Sequence, residues 1–338
     1  MSDISPNPDR LLLQNMPNPV FDHITKHLNF MDVVYLRKLG RNMRNYLNNN
    51  TVVLGLVFVR IRVQEEVLFA EWDQFVNMTT EYSRHLDGCI VRQRGVFKFF
   101  PGEHFVDMFL RDWKLNVVNN KMTIAELKIS FENLDSDHPI FEKLPALLSA
   151  GKHTTRVRKL EMVINEPDDA LTVLPFIQPG YLTTINLKKF GRRGGRIVYT
   201  EENLEKLGNL PQWKLAAQSA FDLKVPTSAS VAQYFTNFWY VGLNVEDTFS
   251  KDLIKIKEII VNPDANLRSV FLINDERFQN IDEFIDQLGP EHVNNYASEW
   301  YFKIPKSSDV LQIKINHSDL AMKLVDRWPG EITPAIMF

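Results

Sequence analysis

His23 and His27 stand four residues apart in the stretch MPNPVFDHITKHL, residues 16–28. One helical turn separates them, which is suitable geometry for two metal ligands. No Glu follows His23 and the sequence offers no third ligand nearby, so the pair reads as a solvated helix face. Cys89 is the sole cysteine, which excludes an intramolecular disulfide framework and a multi-Cys zinc site. No adjacent His or Lys would activate its thiol, so it reads as inert. The stretch GRRGGR, residues 191–196, is a single RGG-like step that invites a phosphate or RNA reading, against which it reads as a flexible basic turn between two elements. Arg37, Lys38, Arg41 and Arg44 in RKLGRNMR could meet nucleic acid or an acidic partner, or simply line a solvated helix face. No phosphate-cradling G-x-x-x-x-G-K-[ST], no G-x-G-x-x-G and no G-x-S-x-G occurs. With no residue in a named catalytic role, the expectation is a non-enzyme without cofactor or metal.

Such residues need a scaffold, and the composition supplies one. The 338 residues are 44% apolar and 24% charged, with 23 Phe and 6 Trp, enough for a sizeable core. The formal net charge is -3, against the basic balance usual for a nucleic-acid or membrane binder. The longest apolar run, VVLGLVFV at 52–59, is far short of a membrane span. The expectation is a cytoplasmic or nuclear protein with no membrane partner and no nucleic acid.

The apolar spacing sets out the elements. Val20, Phe21, Ile24 and Leu28 keep a helical period; Val33, Leu36 and Leu39 suggest a second helix, and Met43, Tyr46 and Leu47 a third. Gly40 separates the last two, and NNN at 48–50 stops the run. Val57, Val59, Ile61 and Val63 then alternate with polar residues as in a half-buried strand. A strand pair is expected around Gln93-Arg94-Gly95, and a helix over 102–113 with Phe105, Met108, Phe109 and Trp113 on one side. An L-x-x-L-x-L skeleton follows at Ile124/Leu127/Ile129, Val157/Leu160/Met162, Leu182/Ile185/Leu187 and Leu267/Val270/Leu272, with a looser copy at Phe238/Val241/Leu243. Helices are expected at 138–149, 201–219, 249–260 and 279–288. The pattern predicts alternating strand and helix, either a degenerate solenoid or an ordinary α/β domain whose strands share a pattern. WYFKIP and VLQIKIN read as a closing hairpin around Ser307 and Ser308. Trp213 follows Pro211 and precedes Ala216 and Ala217, and is expected in the core.

Three short helices in about 35 residues cannot bury much, so their apolar faces need the rest of the chain or a partner. Residues 11–48 resemble an F-box. Met16-Pro17 stands at the opening Leu-Pro step, Val20, Ile24 and Leu28 on the first helix, and Asp32, Val33 and Leu36 at the start of the second. Arg37, Lys38, Arg41 and Arg44 match the basic tail. Met43 stands where a Trp is usual and Leu39-Gly40 where Val-Cys is common. Beyond it, LPFIQPGYLTTINL at 174–187, LPQWKLAAQSAFDL at 210–223 and VEDTFSKDLIKIKEII at 245–260 resemble the FTH domain that follows the F-box in a large nematode family (F-box A-type), over roughly 100–316.

The repeat pattern and the resemblance together lead to the expectation of an α+β or α/β chain, a small all-α F-box followed by an irregular leucine-rich-repeat-like strand/helix domain. Its parts would be a flexible tail at 1–9, an F-box at 10–50, a connecting β-rich segment at 51–99, an FTH domain at 100–320 and a C-terminal tail at 321–338. The resemblance further implies a non-catalytic substrate receptor of an SCF-type ubiquitin ligase. Met16, Pro17, Val20, Ile24, Leu28, Val33, Leu36 and Leu39 would dock on a Skp-type adaptor and through it a cullin. The FTH domain would hold a target protein, with Lys188, Lys189, Arg192 and Arg193 steering an acidic partner just beyond the 182–187 strand. The alternative is an interaction scaffold that engages no ligase.

Overall fold

The computed structural model describes residues 16–25, 27–28, 30–49, 57–72, 79–118, 123–151, 154–189, 197–221, 223–274, 278, 281–289, 292–294, 297–304, 307–316, 318–325 and 335–336. The protein is a mixed α/β chain. Three helices come first: α1 (Asn18–Thr25), α2 (Phe30–Leu39) and α3 (Arg41–Asn49), with Gly40 as the break between the last two. Phe21, Val33, Met43, Tyr46 and Leu47 are their buried residues. Val33, Leu36 and Leu39 do not share a face as the spacing suggested: Val33 is buried, Leu36 half-buried and Leu39 66% exposed. A repeat of three falls short of 3.6 residues per turn, so two such steps rotate a side chain by about 120°.

Strands β1 (Val57–Val63), β2 (Val67–Trp72), β3 (Thr79–His85), β4 (Gly88–Gln93) and β5 (Val96–Pro101) form an antiparallel run. Alternation fixes their faces: Val59, Ile61 and Val63 are buried while Arg60 and Arg62 are exposed. The β4–β5 turn carries φ of 50° at Arg94 and 77° at Gly95. Positive φ at both central residues marks the type I′ turn, whose twist suits a two-residue hairpin. The inner face is covered by α4 (Phe105–Trp113), which buries Phe105, Met108, Phe109 and Trp113. The Tyr82 hydroxyl of β3 donates to Asp112 Oδ2 at 2.6 Å, tying that helix to the sheet.

β1 also pairs in parallel with β6 (Thr123–Phe131), which pairs with β7 (Arg156–Ile164), then β8 (Thr184–Lys189), then β10 (Gln218–Phe221). Between them lie α5 (Ile140–Ser149), 3-10 turns at Pro167–Thr172 and Leu174–Phe176, the short β9 (Ile197–Val198), α6 (Glu201–Gly208) and α7 (Pro211–Leu215). The repeat residues stand in register. Ile124 pairs with Val157, Leu127 with Leu160 and Ile129 with Met162. Leu160 then pairs with Ile185 and Met162 with Leu187. Each row is therefore one buried layer running across the strands.

Among the described residues the strands fall into two nine-stranded sheets. The second contains β9, β11 (Leu223–Thr227), β12 (Tyr240–Asp247) and β13 (Ser269–Ile273) in parallel. It continues antiparallel through β17 (Asp319–Val325), β16 (Val310–Ile315), β15 (Ala297–Lys303) and β14 (His292–Asn294), and β18 (Ala335–Ile336) pairs with β15. Its helices are α8 (Ala229–Tyr234), α9 (Ser250–Val261) and α10 (Asp282–Leu288). Val241 pairs with Val270 and Leu243 with Leu272, so the looser copy of the repeat is in register too. One residue separates β10 from β11, where the chain passes from the first sheet to the second. One rim joins the sheets: Ala217 N–H donates to the Thr183 carbonyl, Trp239 N–H to Ala217, Ser269 N–H to Trp239, and Leu324 N–H to Arg268.

Three expectations change. The helix expected over 201–219 is two helices and a strand. Pro211 starts α7 and holds Leu210 in the extended region, which interrupts the first helix. The boundary at 99/100 falls inside β5, and that at 320/321 falls inside β17, where Met322 is buried and paired to both Val270 and Ile313. The expected strand–helix alternation holds for the parallel centre, and antiparallel strands flank it on both sides. The hairpins around Arg94-Gly95 and around Ser307 and Ser308 are present. The tail at 1–9 lies outside the described residues.

Candidate partner-binding surfaces

The three N-terminal helices divide their apolar residues between two environments. Phe21 stacks at 5.0 Å on Tyr46, whose hydroxyl donates to Asp22, locking α1 to α3. On the other side of α1, Val20 is 40% exposed and Ile24 half-buried, one turn apart. Pro17 and Leu39 are exposed, and Met16, Leu28 and Leu36 are half-buried. Val33 is 1% exposed, so it supports the helices from inside and offers no surface to a partner. Tyr35, absent from the sequence-based set, is 42% exposed on α2.

Arg37 of the basic tail turns inward. Its guanidinium donates to Asn116 Oδ1 at 2.7 Å and to the Leu115 carbonyl at 2.9 Å. Both acceptors lie in a π-helical turn, Lys114–Val118, that ends α4. Burial lowers the Arg37 pKa. Arg41 and Arg44 stay exposed. His23 and His27 meet edge-on at 5.1 Å, and among the described residues no His/Cys/Asp/Glu group could hold a metal ion. Cys89 is fully buried, which pushes its thiol up to about 11.

The basic cluster is placed differently from its sequence reading. Lys188 and Lys189 lie within β8, not beyond it, and both are half-buried. Lys188 pairs with Glu161 at 3.4 Å, and Lys128 reaches the same carboxylate at 3.4 Å. Burial pushes the Glu161 carboxyl up, but the two lysines outweigh it and hold it below its ordinary value. Arg192 and Arg193 lie outside the described residues.

The Gln-Trp-Lys stretch splits between interior and surface. Gln212 is buried and donates to the carbonyls of Pro175 and Ile177 at 2.9 and 2.7 Å. Trp213, 1% exposed, donates its indole N–H to the Tyr234 carbonyl and meets Phe235 and Phe238 edge-on. Lys214 instead lines an open groove of about 380 Å³ with Leu215, Asn237, Trp239 and Arg268. Asn237 shapes its floor by donating to the Trp213 and Ala216 carbonyls. Arg268 caps the end of α9 through the carbonyls of Asn262 and Pro263. Trp239 and Leu215 are 55% and 59% exposed. An exposed indole and a lysine lining one groove are equipped to grip a partner side chain. The sequence reading used Phe238 and passed over Trp239. The signal was the aromatic run Phe238-Trp239-Tyr240, too long for the inward face of a strand alone.

No curated protein matches the chain. The family model described as FTH domain matches residues 138–289. That span is narrower than the sequence resemblance but includes all three stretches that carried it, and the groove at Trp239. The chain therefore carries an FTH domain, from the turn before α5 to the end of α10.

Proposed function

We propose that this protein is the substrate receptor of an SCF-type ubiquitin ligase. The three N-terminal helices act as an F-box on a Skp-type adaptor that leads to a cullin, and the FTH domain holds a target protein. The observation that carries this reading is the divided apolar surface of α1 and α2. Val20 and Leu39 are exposed and Ile24 is half-buried, while Phe21, Val33, Met43 and Leu47 already fill the interior. An outward apolar set on a small helical unit fits a partner helix or groove. Catalysis is not required of such a receptor, which raises the effective concentration of target lysines near the transferring enzyme. The groove at Lys214, Leu215 and Trp239 is the target surface of the FTH domain under this reading. The role suits the cytoplasm or the nucleus.

Ile24→Asp tests it, because an unpaired carboxylate in a contact made dry costs several kcal/mol. The variant should fold as the wild type does and fail to co-purify the adaptor and cullin. Wild-type protein that recovers neither would leave a scaffold that engages no ligase. Recovery by Ile24→Asp at the wild-type level would move the adaptor to another face.

A further inference from the structure

Strand β5, VFKFFP, is the outer edge of the first sheet. Edge strands are normally blunted by charge, proline, bulges or a covering element, because their unpaired backbone groups recruit other strands. β5 carries one such charge, Lys98, and a proline only at its end, Pro101, yet it exposes Val96 at 72%, Phe97 at 68% and Phe99 at 41%. Among the described residues no strand pairs with its outer side.

The register says which groups are on offer. Gln93 pairs with Val96 across the two-residue turn, Val91 with Lys98 and Cys89 with Phe100. Residues flanking such a turn exchange both hydrogen bonds, and the pattern alternates along an antiparallel pair. Val96, Lys98 and Phe100 thus direct their backbone groups to β4, and Phe97 and Phe99 direct theirs away from the sheet. Pro101 has no N–H and ends the outward row. The side chains of Phe97 and Phe99 share a face with Arg92 and Ile90. Lys98 is on the opposite face, with its ammonium 4.8 Å from the centre of the Phe100 ring.

We propose that this edge binds an extended peptide by strand addition, with apolar residues at alternate positions and an acidic residue between them. The apolar residues lie beside Phe97 and Phe99, and the acidic one stands opposite Lys98, the sole charge in the strand. Arg94 in the turn adds a second positive charge at the tip of the hairpin. A second copy of the chain fits less well. The two-fold register using all four outward groups sets Lys98 directly against its own copy, and like charges opposed in a sheet are destabilising. The site stands on the sheet edge alone, and under the receptor reading it is a second contact for the target, apart from the groove at Trp239.

The test uses the full-length protein and a fluorescein-labelled eight-residue peptide of alternating valine and glutamate, with an alternating valine–lysine peptide as control. Saturable binding of the glutamate peptide is expected, at least tenfold tighter than the control. Phe99→Pro removes one outward N–H and no bond to β4; it should weaken binding at least tenfold with an unchanged circular dichroism spectrum. Lys98→Glu should reverse the preference between the peptides, which a merely structural role for Lys98 would not do. No saturable binding, binding that ignores Phe99→Pro, or an unreversed preference in Lys98→Glu overturns the proposal. So does reversible dimerisation in sedimentation that Phe99→Pro abolishes, which would assign the edge to a second copy. Adaptor recovery is scored separately. Its loss with peptide binding intact counts against the F-box alone, and the converse against the peptide site alone.

Discussion

Trp213 shows what a single residue can be made to do here. It stands in the most recognisable stretch of the chain, yet its ring is enclosed by Phe235 and Phe238 and its only polar group meets a backbone carbonyl. An indole buried this way contributes apolar area, aromatic packing and a satisfied donor. Trp213→Ala should therefore cost about 3–5 kcal/mol of unfolding free energy, read from denaturant titration. Target capture in conditions where the variant stays folded should be retained. A variant that melts like the wild type but captures nothing would place the indole at the surface. The next residue, Lys214, carries the opposite role from the same short helix, because α7 ends at Leu215 and presents it to the groove. Neighbouring residues with unrelated duties are what a motif conceals when it is read as a unit.

At the scale of elements, the sequence showed the buried layers and hid the polar ones. Leu127, Ile129 and Phe131 announce a strand because burial on one side demands alternation, and the shared spacing in β7 and β8 follows from their in-register stacking. The antiparallel flanks were not legible as part of the same sheets, since strand partners are set by long-range pairing that no local pattern encodes. Nor was the role of Lys188 legible, because its partner Glu161 lies 27 residues earlier and becomes its neighbour only when β7 and β8 pair. Lys128, Glu161 and Lys188 form a charge row over β6, β7 and β8. The Glu161 pKa is held below its ordinary value of 4.5 in the fold. The stability it contributes is thus present above about pH 4.5, and is lost as pH falls through the lower folded value. Glu161→Gln should flatten the acid limb of the stability–pH curve below pH 4.5, and should cost under about 1 kcal/mol at neutral pH because the lysines are partly solvated. An acid limb identical in the two proteins would show that the row contributes nothing.

Across the whole molecule the question is whether two sheets behave as one body. Their buried residues form one cluster, the backbone crosses between them at β10 and β11, and the rim bonds run on from Thr183 through Ala217 and Trp239 to Ser269. Opening either sheet would break that row and expose Trp213, which lies four residues before Ala217 and packs on Phe238, the neighbour of Trp239. The N-terminal helices are placed otherwise. Among the described residues they add Phe21, Val33, Met43, Tyr46 and Leu47 to a core built mostly by the sheets, and Arg37 bonds to the turn after α4. The fragment 51–338 should therefore fold, and should unfold in a single cooperative transition seen alike by tryptophan fluorescence and far-ultraviolet circular dichroism. It should be modestly less stable than the full chain, since Asn116 and the Leu115 carbonyl lose a charged donor but can take water in its place. A molten fragment would mean that the body cannot hold without the residues that α1–α3 add to the core. Two separated transitions would mean that the rim does not couple the sheets, and that the FTH domain divides at residue 222.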